Sequence, residues 1–121
     1  MFLNLNFAES GNYSEDKSID FPLACCQVCG VTDELGQQLA DTIYEVMGTK
    51  QKGKIWKRYA TDEENADWYT VLYSSHAVGT PGILLEHSFH SNLYATKWLM
   101  VDENLEILAQ AEAKVISDYF A

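Results

Sequence analysis

The stretch 78–92, VGTPGILLEHSFHSN, constrains the fold more than any other part of the chain. Pro81 and Gly82 mark a turn, and Ile83, Leu84 and Leu85 then run without a polar break, the pattern of a strand covered on both faces. Such a strand belongs to a parallel or mixed sheet in an α/β domain, where ligands sit beyond the carboxyl ends of the strands. This spacing places Glu86 at that end of an 83–85 strand, followed by His87, Phe89 and His90, with Asn92 positioned to cap a helix. Glu86 is therefore the first candidate for a chemical role. A carboxylate in that place also suits a cap or a surface ion pair, so the spacing marks a site without defining a reaction.

Around this stretch, strand and helix patterns alternate. Alternation over 2–7 predicts a first strand, the polar segment 9–18 predicts a mobile loop, and 21–28 predicts a second strand closed by Gly30. Leu35, Leu39, Ile43, Val46 and Met47 form one stripe of a helix that starts at Thr32 or Asp33 and stops at Gly48. A weak strand pattern covers 54–59, and 68–76 reads as either a short helix or a strand. Asn92 caps a helix to Met100, and Asp102 opens a last helix with Leu105, Leu108, Ala109, Val115, Ile116, Tyr119 and Phe120 on one face. At about 100° per residue, Glu112 falls near the centre of that apolar face. The class is α/β, with a mixed, mostly parallel sheet covered by helices.

At 121 residues the chain has the size of one domain, and 47% hydrophobic against 21% charged residues places it among globular rather than disordered chains. A formal net charge of -10 argues against nucleic acid as a partner, because phosphate neutralisation needs clustered cations. Five of the eight basic residues do cluster, at Lys50, Lys52, Lys54, Lys57 and Arg58, a pattern that ordinarily keeps a surface solvated. No window of roughly 18 apolar residues predicts a membrane span. The start, MFLNLNFAESGN, lacks the basic and long apolar regions of a secretory leader.

Cys26 and Cys29 have C-x-x-C spacing, which invites a metal or redox reading. On a strand, however, residues three apart point to opposite faces, so Cys25, Cys26 and Cys29 read as free thiols, buried or half-buried. His76, His87 and His90 are the three histidines; His76 reads as an ordinary core or surface residue.

The run GTPGILLEHSFHSN, followed by TKWLM and by NLEILAQAEAKVISDYF, resembles the C-terminal half of the zinc-dependent N-acetylmuramoyl-L-alanine amidases. GTKQKG at 48–53 and DWYTVLYSSHAVG at 67–79 resemble the segment that precedes the catalytic strand in Firmicute-type members. The similarity extends over roughly residues 20–121.

This resemblance implies a peptidoglycan hydrolase of the cell wall with an incomplete three-layer amidase-like fold. Such enzymes cleave the amide between the lactyl group of muramic acid and the first L-alanine of the stem peptide. A zinc-held water attacks the carbonyl, and the glutamate matched by Glu86 carries its proton to the leaving amine. Arg58 and Asn92 are then candidates for the substrate side. The family's zinc ligands, two His and a Glu, all precede the matched stretch. This chain has no histidine before His76, and Asn6 stands where the second ligand His is expected.

The resemblance therefore implies a C-terminal portion that holds no zinc and is inactive alone. It would be completed by an upstream half or associate as a homo-oligomer. His87 and His90 are the residues left to act as replacement metal ligands. The alternative is a non-catalytic peptidoglycan-binding or regulatory module on the same fold.

Overall fold

The computed structural model describes residues 1–8 and 15–121, with the first strand described by its backbone alone. Part of the segment expected to be a mobile loop, residues 9–14, lies outside the described residues. Four strands, β1 (Phe2–Ala8), β2 (Leu23–Cys26), β3 (Lys54–Trp56) and β4 (Gly82–Phe89), form one sheet in the order β1-β4-β2-β3. β1 runs parallel to β4 and β2 parallel to β3, while β2 and β4 are antiparallel. The sheet is mixed, with two parallel pairings and one antiparallel. Four helices complete the described chain: α1 (Asp33–Met47), α2 (Thr70–Ala77), α3 (Leu93–Leu99) and α4 (Asp102–Tyr119).

The apolar run of β4 is explained by its place. It has a strand on each side and helices over both faces, so Ile83 and Leu85 are fully buried and Leu84 nearly so. On one face, Ala24, Cys26, Ile83 and Leu85 pack with Leu35, Leu39 and Ile43 of α1 and Leu108 of α4. Burying a side chain such as Leu39 contributes about 1.5–3 kcal/mol, so the α1 stripe is the main anchor of this layer. On the other face, Cys25 and Leu84 pack with Leu72, Val71 and Tyr69 from α2 and the segment before it.

The α1 expectation holds at both ends. Gly48 closes the helix at φ 65°, a conformation that costs an L-residue, and its N–H donates to the Tyr44 carbonyl at 2.9 Å. Close approach also decides Gly36, where an added Cβ would collide with the Cys26 Sγ on β2.

Elsewhere the boundaries move. β4 does not stop at Leu85 but continues to Phe89: Leu23 on β2 and Asn6 on β1 are both register partners of Glu86, and Ala8 on β1 still pairs with Phe89. Glu86 therefore sits within the strand, not beyond its carboxyl end. β2 is shorter than 21–28, with Pro22 just before it and a turn from Val28. β3 keeps only three residues of 54–59. The ambiguous 68–76 segment resolves as a helix, α2. The apolar stripe of α4 is narrower than its periodicity indicates, since Leu105, Ala109 and Phe120 are exposed, yet Glu112 is buried in it as the helical count places it.

Candidate functional site

Side-chain alternation along β4 sends Leu84 and Glu86 to the α2 face of the sheet and Ile83, Leu85 and His87 to the α1 and α4 face. Glu86 is half-buried, and burial raises its carboxyl above the ordinary carboxylate range, because the ionised form loses hydration there. A carboxyl whose protonated form is favoured in this way is suited to taking up a proton.

Cys25 and Tyr69 share the surroundings of Glu86. Burial, with the Glu86 charge adding to it, pushes the Cys25 thiol up to about 12, so it stays a neutral thiol. The Tyr69 hydroxyl shares a hydrogen bond with that thiol and is likewise raised to about 12, chiefly by burial, with the Cys25 hydrogen bond and the Glu86 charge adding and Arg58 opposing. Tyr69 sits at the N-cap of α2, where extended backbone turns its ring toward the sheet core.

Arg58 is joined to this group through aromatic contacts. Its guanidinium lies 3.5 Å from the centroid of the Trp68 ring, and that ring meets Tyr69 edge-to-face at 5.2 Å. The loop carrying them is closed by backbone hydrogen bonds, Trp68 N–H to Arg58 O and Ala60 N–H to Ala66 O, both 2.9 Å. Arg58, Trp68, Tyr69 and Glu86 thus form one array along the α2 face. Sequence reasoning had named Arg58 and Glu86 and missed Tyr69, Trp68 and Cys25. Nothing in local spacing links positions 25, 69 and 86; the pairing of β2 with β4 and the docking of α2 bring them together.

The other sequence candidates lie elsewhere. Asn92 caps α3: its Oδ1 accepts from Ala95 N–H at 3.0 Å, and its Nδ2 donates to the carbonyls of Ile19 at 3.3 Å and Asp16 at 3.4 Å. Its side chain is buried and spent on the chain itself. His87 faces away from Glu86 and places Nε2 2.6 Å from Glu112 Oε1. His90 is exposed after the end of β4, and His76 is exposed on α2. The three histidines therefore occupy three separate places.

Among the described residues, no group of three or more His, Cys, Asp or Glu converges so as to hold a metal. A catalytic zinc needs about three protein ligands and an open position. Glu86 is flanked in register by Asn6 on β1 and Leu23 on β2, neither of them from the usual set of His, Cys and carboxylate ligands. The residues described around Glu86 do not fit a zinc centre. Cys26 is buried on the α1 face and Cys29 is exposed in the following turn, both free thiols, so the C-x-x-C pair does not form a ligand pair either.

The fold these elements build is similar to that of N-acetylmuramoyl-L-alanine amidase catalytic domains. Over 98% of its length the chain superposes on the N-acetylmuramoyl-L-alanine amidase from Clostridium difficile 630, with a TM-score of 0.71 at 12% identity. It superposes over 98% on the catalytic domain of CwlV, an N-acetylmuramoyl-L-alanine amidase from Bacillus (Paenibacillus) polymyxa var. colistinus, with a TM-score of 0.62 at 16% identity. Cwp6 from Clostridium difficile is similar over 97% of the chain, with a TM-score of 0.64 at 18% identity. The chain spans 56% of each of the first two structures and 17% of the third. No family model matches the sequence, and no curated protein sequence matches it.

Proposed function

We propose that this chain carries the glutamate-bearing part of an amidase-type peptidoglycan site, engaging its substrate at the amide between the lactyl group of muramic acid and L-alanine. The observation that supports this most directly is the raised, half-buried carboxyl of Glu86, on the central strand of a sheet that superposes on amidase catalytic domains. In amide hydrolysis a water oxygen bonds to the carbonyl carbon, the C–N bond breaks, and the water proton must reach the departing amine. Glu86 would accept that proton and return it to nitrogen. The Arg58 guanidinium, stacked on Trp68 along the same face, would meet a carboxylate of the stem peptide.

A proton shuttle does not make water nucleophilic, and bulk water with a pKa of about 15.7 is a poor attacker at neutral pH. The residues described here offer no metal cluster to activate it. The isolated chain is expected to bind without turnover, and the lack of a converging ligand set among the described residues favours the binding-module reading over a self-sufficient enzyme. The test is titration of the full chain with a disaccharide–pentapeptide muropeptide, followed by chromatography of the mixture. Saturable binding that weakens in Glu86→Gln, without release of free peptide, is the expected result. Absence of muropeptide binding, or binding indifferent to Glu86 and Arg58, would overturn the proposal.

A further inference from the structure

The two edges of the sheet are built differently. β3, at one edge, keeps three residues, carries Lys54 within it and lies between Lys52 and Lys57 in the chain. Short length and lysines are devices that keep an edge strand from adding partners. β1, at the other edge, has neither. It runs for seven residues, FLNLNFA, without a charge, a proline or a glycine. The irregularity in its pairing falls after Asn6: Asn6 matches Glu86 and Ala8 matches Phe89, so the extra residue lies on β4 and the outer edge of β1 stays regular. Among the described elements, β1 packs extensively only against β4, and no strand pairs with its far side. Alternate residues of β1 direct their N–H and C=O groups to that side, where they form a template for a further strand.

Charge and sequence narrow what fills it. At a net charge of -10, two copies of the chain repel each other over most of their surfaces, and they approach at least cost where carboxylates are absent, as in 2–8. This strand is also complementary to itself. Antiparallel pairing about Leu5 sets Leu5 against its own copy, Leu3 against Phe7 and Asn4 against Asn6, so apolar positions meet apolar ones and amides meet amides. Pairing about Asn4 would instead set Phe2 against Asn6. Directly opposed residues of an antiparallel pair share a face, so the register about Leu5 keeps the α2 side of one sheet level with the α2 side of the other.

We propose that β1 is the interface through which this chain forms a two-fold dimer with a second copy of itself, β1 pairing antiparallel with β1 about Leu5. The two sheets then become one continuous sheet with both Glu86 residues on the same side of it. This contact is independent of the role given to Glu86.

Sedimentation velocity of the full chain over a dilution series should show a monomer–dimer equilibrium. Asn4→Lys with Asn6→Lys places like charges opposite each other twice and should weaken association at least about tenfold. Asn4→Glu with Asn6→Lys places opposite charges in the same two positions and should restore it. Both variants share Asn6→Lys and differ only in the sign of the charge at position 4, so a general cost of altering β1 affects them alike, and circular dichroism checks that each is folded. Amide exchange in the unaltered chain needs no variant: protection of amides in 2–8 should fall on dilution, while that of 54–56 should not change. A chain monomeric at every concentration would leave the edge to a strand of another protein and overturn the proposal, as would a dimer whose 2–8 amides exchange independently of concentration. Association equal in the two variants, or lost in both although each is folded, would overturn the pairing about Leu5.

Discussion

His87 on β4 and Glu112 on α4 meet at 2.6 Å in the interior, with side chains 10% and 6% exposed, across the sheet from Glu86. Two adjacent residues of one strand thus serve opposite faces: Glu86 turns toward the candidate site, and His87 ties the last helix to the sheet. Glu112 occupies the middle of an apolar stripe because its carboxylate has this partner.

Removing one member of a buried hydrogen-bonded pair leaves the other's polar atom unsatisfied, at a cost of about 1–3 kcal/mol. Glu112→Ala should therefore destabilise the chain by that order in urea unfolding. The double variant His87→Val, Glu112→Leu should recover most of the loss, since an apolar pair replaces the hydrogen-bonded one and leaves no polar atom unsatisfied. A double variant no more stable than Glu112→Ala would show that the pair contributes more than its own satisfaction.

The raised carboxyl of Glu86 has a stability consequence opposite to that of a salt-bridged acid. With its folded pKa above the unfolded value of 4.5, the folded state binds the proton more tightly, so stability falls as pH rises from the unfolded value through the folded one. Below both values the penalty vanishes. Glu86→Gln should consequently raise the melting temperature by a few degrees at pH 7, and the gain should shrink toward pH 4. A pH-independent difference would assign it to packing.

Gly36 lies within α1, where replacement by alanine ordinarily gains up to about 1 kcal/mol of helix propensity. Here the added methyl group would collide with the Cys26 Sγ, and overpacking of a tight helix–sheet contact costs about 1–3 kcal/mol. The clash dominates, so Gly36→Ala should lower the unfolding midpoint. Gly36→Ala combined with Cys26→Ala, which clears the space, should regain much of it.

Burial separates the three thiols. Cys29 is exposed, while Cys25 and Cys26 are buried and raised to about 12 and about 11, both chiefly by burial. Alkylation near pH 8 under native conditions should add one group per chain, at Cys29, and three after denaturation, as counted by mass spectrometry. Native modification at Cys25 would show that the Glu86 face opens readily.

The α/β class, the full extent of α1, the Asn92 cap and the buried character of 83–85 were all legible in the sequence, because each depends on local chemistry. Helical periodicity, a glycine able to take φ 65° at position 48 and a side-chain oxygen within reach of its own next turn need no distant partner. Glu86 was legible as a candidate for the same reason, as an acid at the limit of an apolar run. What local pattern could not supply was the end of β4, since a strand extends as long as its neighbours pair with it, and Leu23 and Asn6 lie far away in sequence. That pairing decided that Glu86 lies within the strand and that His87 points away from it, which separates two residues the sequence had grouped. It also brought Cys25, Tyr69, Trp68 and Arg58 to the Glu86 face from three separate segments. A spacing rule sees only neighbours along the chain, whereas burial, ion pairing and the proton affinity of a carboxyl are set by neighbours in space.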